Sequence, residues 1–99
     1  MTRLGIAVAL VMLAGGAATA GTIERACLKS DRKAASRALC GCIQTVADKT
    51  LTRSDQRRAA KFFGDPHMAQ EVRQSDRASD EAFWQKYKNF GATAQAFCG

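Results

Sequence analysis

Apolar and polar positions divide the chain into a leader and a helical remainder. Leu4–Ala14 (LGIAVALVMLA) is an uncharged apolar run of eleven residues behind Met1–Arg3, which carries one positive side chain. Gly15–Ala20 is built of small residues and ends Ala18-Thr19-Ala20, an A-x-A cleavage pattern. This order predicts an export signal over 1–20, cut after Ala20, with Gly21 opening the mature chain. A membrane span needs about 20 apolar residues, so the run is short for a retained anchor. No cysteine stands at the cut to carry a lipid.

After Ala20 no segment alternates with a period of two, and apolar residues recur at three- and four-residue steps. A short first helix is predicted over Ile23–Leu28. Ser30 and Asp31 offer an N-cap for a second, from Arg32 to near Leu51. Its stripe is Ala35, Ala38, Leu39, Cys42, Ile43, Val46, Ala47 and Thr50. Gly41 lies inside it at a cost of about 1 kcal/mol against alanine, for which tight packing is the expected reason. Thr52 with Asp55 is a weaker form of the capping box. It opens a third helix through Ala59, Ala60, Phe62 and Phe63, which Gly64 stops.

Asp65 and Pro66 restart the chain as N-cap and first helical residue. Met68, Val72, Ser75, Ser79, Phe83, Tyr87, Phe90, Ala94 and Phe97 then fall on one face of a single helix from Pro66 to about Cys98. Such a helix would run roughly 48 Å at 1.5 Å per residue. The polar stretch Gln74–Asp80 weakens its middle, and Ser75 or Ser79 offers a cap for a new helix, so a break there is the alternative. The expected architecture is all-α: one domain over 21–99, a small disulfide-stapled bundle of three to four helices with a long C-terminal helix.

Composition adds a constraint on stability. The 79 residues after Ala20 can bury only a modest core. The four cysteines, Cys27, Cys40, Cys42 and Cys98, form an even set in a small exported chain and read as two disulfides. Cys40 and Cys42 point about 200° apart on a helix and cannot bond to each other there. Two pairings remain: Cys27–Cys40 with Cys42–Cys98, or Cys27–Cys42 with Cys40–Cys98. The place of Cys42 on the apolar stripe, facing the last helix, favours the first. Either ties the chain's end to the central helix. A bridge closing more than about fifty residues is worth about 3–4 kcal/mol in the chain-entropy model.

Cys40-Gly41-Cys42 is also a C-x-C element, which opens thiol–disulfide exchange as a second function class. Zinc is a weaker expectation, because the thiols and His67 match no paired C-x₂-C spacing. There is no C-x-x-C-H for covalent haem, so neither a metal nor another cofactor is expected. His67, the only histidine, reads as an exposed first-turn residue. Asp80 and Glu81 are adjacent carboxylates on an expected exposed face, about 100° apart and poorly placed for paired acid–base work. No catalytic constellation is predicted.

The formal charge is +6, and +5 once Arg3 leaves with the signal. One basic run is Arg25, Lys29, Arg32, Lys33 and Arg37; a second is Arg53, Arg57, Arg58 and Lys61. Together with Trp84, Lys86, Tyr87 and Lys88 the second run forms the candidate contact patch. An anionic envelope component (lipid headgroups, cell-wall carboxylates) or an acidic protein is the expected partner. Nucleic acid is a poor expectation for an exported chain.

Cys40-Gly41-Cys42, Ser54-Asp55-Gln56-Arg57, Asp65-Pro66-His67, Arg73-Gln74-Ser75-Asp76, Phe83-Trp84 and Phe90-Gly91-Ala92-Thr93-Ala94 carry a likeness. The region after the signal resembles a family of short exported bacterial proteins of undetermined activity, some labelled "arginine transporter". The resemblance implies no catalytic or binding residue. Without a span the processed chain offers no permeation path, so the label implies at most a periplasmic accessory to arginine or amino-acid transport. A chain of this charge is a poor fit to cationic arginine. The residues themselves point to a periplasmic or secreted binding or structural module of the envelope, with the C-x-C redox factor as the alternative.

Overall fold

The computed structural model describes residues 21–30 and 35–99, so the expected export signal and its cut after Ala20 lie outside the described residues. Among the described residues five helices follow in order and no strand occurs: α1 Thr22–Lys29, α2 Arg37–Thr50, α3 Arg53–Gly64, α4 Pro66–Arg73 and α5 Ala78–Cys98. The all-α bundle with a long C-terminal helix is therefore what forms, with one helix more than expected.

Local chemistry sets most of the ends. Ser30 does not cap the second helix; its N–H and its hydroxyl both donate to the Cys27 carbonyl, closing α1. Ser36 takes the capping role, its Oγ accepting the Leu39 N–H at 3.1 Å, and α2 starts at Arg37; the expected cap at Asp31 and start at Arg32 lie outside the described residues. Thr52 caps α3 as predicted, accepting from the Asp55 N–H at 3.1 Å. Pro66 occupies the first turn of α4, but the Asp65 side chain makes no capping bond.

The single helix from Pro66 to Cys98 does not form. The chain leaves the helix after Arg73 and resumes at Ala78. Ser75 holds the break: its N–H donates to the Val72 carbonyl at 3.2 Å and its Oγ accepts the Arg77 N–H at 3.1 Å. Ser79 does not cap α5; Arg77 stands at that position with no side-chain capping bond.

α1 packs on α2 and α3, α5 packs on α2 and α4, and α4 touches α3. Ile23, Val46, Ala47, Leu51, Ala59, Phe62, Val72, Phe83 and Phe90 form one buried cluster drawn from all five helices. Phe62 sets its ring edge-on to Phe83 and Tyr87, with centroids 5.9 and 5.0 Å away. Two expectations about packing change. Phe97, on the predicted stripe, is 77% exposed. At Gly41 a Cβ would meet only Glu24 Oε2 at 3.8 Å, an ordinary contact, so no tight packing explains that glycine. The tight approach is at Gly21, where a Cβ would fall 2.3 Å from the Gln44 side chain.

Candidate functional site

The four cysteines form Cys27–Cys40 and Cys42–Cys98, with Cα separations of 5.6 and 5.8 Å. Cys27 and Cys40 are buried, whereas Cys42 and Cys98 are half-buried. The two sulfurs of the C-x-C element therefore belong to different bridges and do not form one redox couple. A largely apolar groove of about 280 Å³, lined by Cys42, Val46, Thr93 and Phe97, runs beside the second bridge. Among the described residues no group of His, Cys, Asp and Glu side chains is arranged to hold a metal ion. His67 is exposed, its Nε2 3.9 Å from Glu71 Oε2.

The contact patch divides. On α5, Trp84 and Tyr87 are half-buried against the core, their rings 5.3 Å apart. Lys86 Nζ is 3.2 Å from Asp55 Oδ2. Arg58 pairs with Asp80 and lies over the Phe83 ring, 4.4 Å from its centroid. Asp80 is thus not part of an exposed carboxylate face. The Ser75 hydroxyl and then the Arg58 guanidinium hold its carboxyl below the ordinary value of 3.8.

What remains is a basic stripe. Arg53, Arg57 and Lys61 are exposed, four residues apart, and share one face of α3. Among the described residues none of the three has an acidic partner within ion-pair distance. Like charges at that spacing repel by a few tenths of a kcal/mol (roughly 0.2–0.5), so the stripe is not explained by helix stability. Lys88 is exposed on α5, also without such a partner among the described residues.

The stripe begins at a cleft of about 320 Å³ between α1, α2 and α3. Arg25, Arg53 and Arg57 line it, with Gly21 and Thr22 at the start of α1. Gln44, Gln56 and Asp48 complete the lining. Gln44 and Gln56 are buried and fully used. Gln44 Oε1 accepts the Glu24 N–H at 2.8 Å, and its Nε2 donates to Asp48 Oδ1 at 2.8 Å and Gln56 Oε1 at 2.9 Å. Gln56 Nε2 donates to Asp48 Oδ1 at 3.2 Å and the Ala47 carbonyl at 3.3 Å. The sequence does not show this network as a site, because its members are dispersed over three helices. The signals were Gln44 four residues from Asp48 inside an apolar stripe, and an arginine pair at the same spacing.

Comparison with protein-family models, curated proteins and solved structures finds no match for this chain. No helix among the described residues is long and apolar enough to cross a membrane.

Proposed function

We propose that the chain, after removal of 1–20, is a periplasmic or secreted helical binding module of the cell envelope that acts through its basic surface on an anionic partner. One observation carries this reading: Arg53, Arg57 and Lys61 keep an aligned positive face, while Arg58 and Lys86 are neutralised by Asp80 and Asp55. A face of one sign raises the local concentration of an oppositely charged partner, and the effect is screened by salt. The two disulfides agree with an oxidising compartment.

The likeness to proteins labelled as arginine transporters would make the chain an accessory to transport. The same positive face repels a guanidinium ligand and gives that reading no support of its own.

The test is sedimentation of the disulfide-intact protein with anionic vesicles and with purified cell-wall sacculi, neutral vesicles serving as control. Binding is expected at low salt. It should disappear in about 1 M salt, where the screening length is about 3 Å. It should also disappear in the Arg53→Gln, Arg57→Gln, Lys61→Gln triple variant. Equal sedimentation with neutral and anionic vesicles, or a triple variant that binds like the parent, would overturn the reading.

A further inference from the structure

We infer that the furrow between α1 and α3 is a docking groove for an extended acidic segment of a polypeptide, one carrying carboxylates at alternate residues. The inference rests on the reading of the chain as a binder of anionic partners, and it names the surface and the partner's chemistry. The cleft at the starts of α1 and α3 continues into a second groove at their ends, lined by Ala26, Lys29, Ala60 and Gly64. Thr22, Ala26 and Lys29 share one face of α1, and Arg53, Arg57 and Ala60 share one face of α3, at three- and four-residue steps. The two helices thus run side by side in the same direction. Their junction stays open at its far end, where a Cβ at Gly64 would meet nothing within 4 Å. From Arg53 to Gly64 the furrow is about 16 Å long at about 1.5 Å per residue.

Its charge is one-sided and evenly spaced. Arg53, Arg57 and Lys61 follow one another about 6 Å apart along the axis of α3. Lys29 faces them from α1 across the far end. Among the described residues none of these four has an acidic partner within ion-pair distance. Arg25 lines the near end as well and has a partner of its own. Asp48, the one carboxylate among the lining residues, accepts two carboxamide N–H groups through Oδ1. Gln44 and Gln56 join the three helices under Arg53 and Arg57, so the near end holds its shape without an occupant.

Spacing selects the occupant. An extended polypeptide rises about 3.3 Å per residue, so alternate side chains share a face about 6.6 Å apart. Three acidic residues at such positions span about 13 Å, against about 12 Å from Arg53 to Lys61, a difference that long basic side chains absorb. A single extended strand lies within a furrow, whereas a flat bilayer would meet only its rims. Among the described residues no aromatic side chain lines it, so it offers nucleobases no stacking platform. Clustered basic side chains are one of the recurring ways in which proteins recognise acidic segments.

Two capped peptides of one composition test it: Glu-Gly-Glu-Gly-Glu, and Gly-Glu-Glu-Glu-Gly, whose middle carboxylate points away from the other two when the chain is extended. With the disulfide-intact protein at low salt, the alternating peptide is expected to shift amide resonances at both ends of the furrow, Thr22 and Arg57 as well as Ala26 and Ala60. It should bind about fivefold more tightly than its isomer, the equivalent of one exposed charge pair at about 1 kcal/mol. Lys61→Gln should abolish that preference. Lys88→Gln, which removes a charge from α5 outside the furrow, should leave it unchanged. Both positions are exposed on helices, and matching thermal melts verify the fold. Equal binding of the two peptides overturns the furrow and leaves a diffuse basic surface. Shifts that map away from α1 and α3, or a preference that survives Lys61→Gln, overturn it as well. Binding to anionic vesicles or sacculi with no response to either peptide overturns the furrow and keeps the wider reading. No binding to any anionic probe removes both together.

Discussion

Gln44 accepts the Glu24 N–H and so supplies to α1 the cap that Gly21, lacking a side chain, does not. The same carboxamide donates to Asp48 and Gln56, joining the helix it caps to two others. Gln44→Leu keeps the volume and removes every one of these bonds. It strands a helix N–H and the Gln56 oxygen, and is expected to cost about 1–3 kcal/mol in urea unfolding. A loss below about half a kcal/mol would mean water replaces the carboxamide. Residue patterning alone does not reveal such a role, because a stripe count passes over a polar residue beside Ile43. It also errs at Phe97 for a geometric reason: neighbours on a helix point about 100° apart, and Cys98 is committed to Cys42. With Cys98 turned inward, Phe97 turns out.

At the scale of elements, the apolar period from Met68 to Phe97 is interrupted by two polar positions, Ser75 and Ser79. Ser79 is exposed on α5, and Ser75 is the hinge between α4 and α5. The helices themselves, the Thr52 cap and the Pro66 start are legible because they depend on neighbours within one turn. The break depends on Asp80, which Ser75 and Arg58 stabilise as a carboxylate in the first turn of α5. A carboxyl group held below its ordinary value contributes stability that is present above that value and is lost as pH falls through the lowered one. Asp80→Asn removes this contribution. The gap between parent and variant in urea midpoints is therefore expected to be widest near neutral pH and to shrink below about pH 4. A gap that stays constant down to acid pH would show that Asp80 acts through shape rather than charge.

For the whole molecule the two bridges differ in reach and in exposure. Cys27–Cys40 spans 13 residues and fastens α1 to α2, whereas Cys42–Cys98 spans 56 and fastens the end of α5 to α2. In the chain-entropy model the long loop is worth about 4 kcal/mol and the short one about 3. Cys98→Ser is thus expected to lower the melting temperature by about 15 °C or more, at about 4–8 °C per kcal/mol for a domain of this size. A shift of a couple of degrees would mean that the core closes unaided. The long bridge is also the more accessible: Cys42 and Cys98 are half-buried, and Cys27 and Cys40 lie in the interior. Thiol attack requires a thiolate to reach a sulfur in line, so exposure governs which bridge opens first while the fold is intact. Mild reductant, alkylation and peptide mass spectrometry are expected to label Cys42 and Cys98 ahead of Cys27 and Cys40. The first species formed should be the one with the larger loss of stability, so the second bridge should open soon after, through unfolding rather than direct attack. If Cys27 and Cys40 were labelled first, α1 would have to leave the bundle before α5, and the clamp on the molecule's tail would not be its weak point.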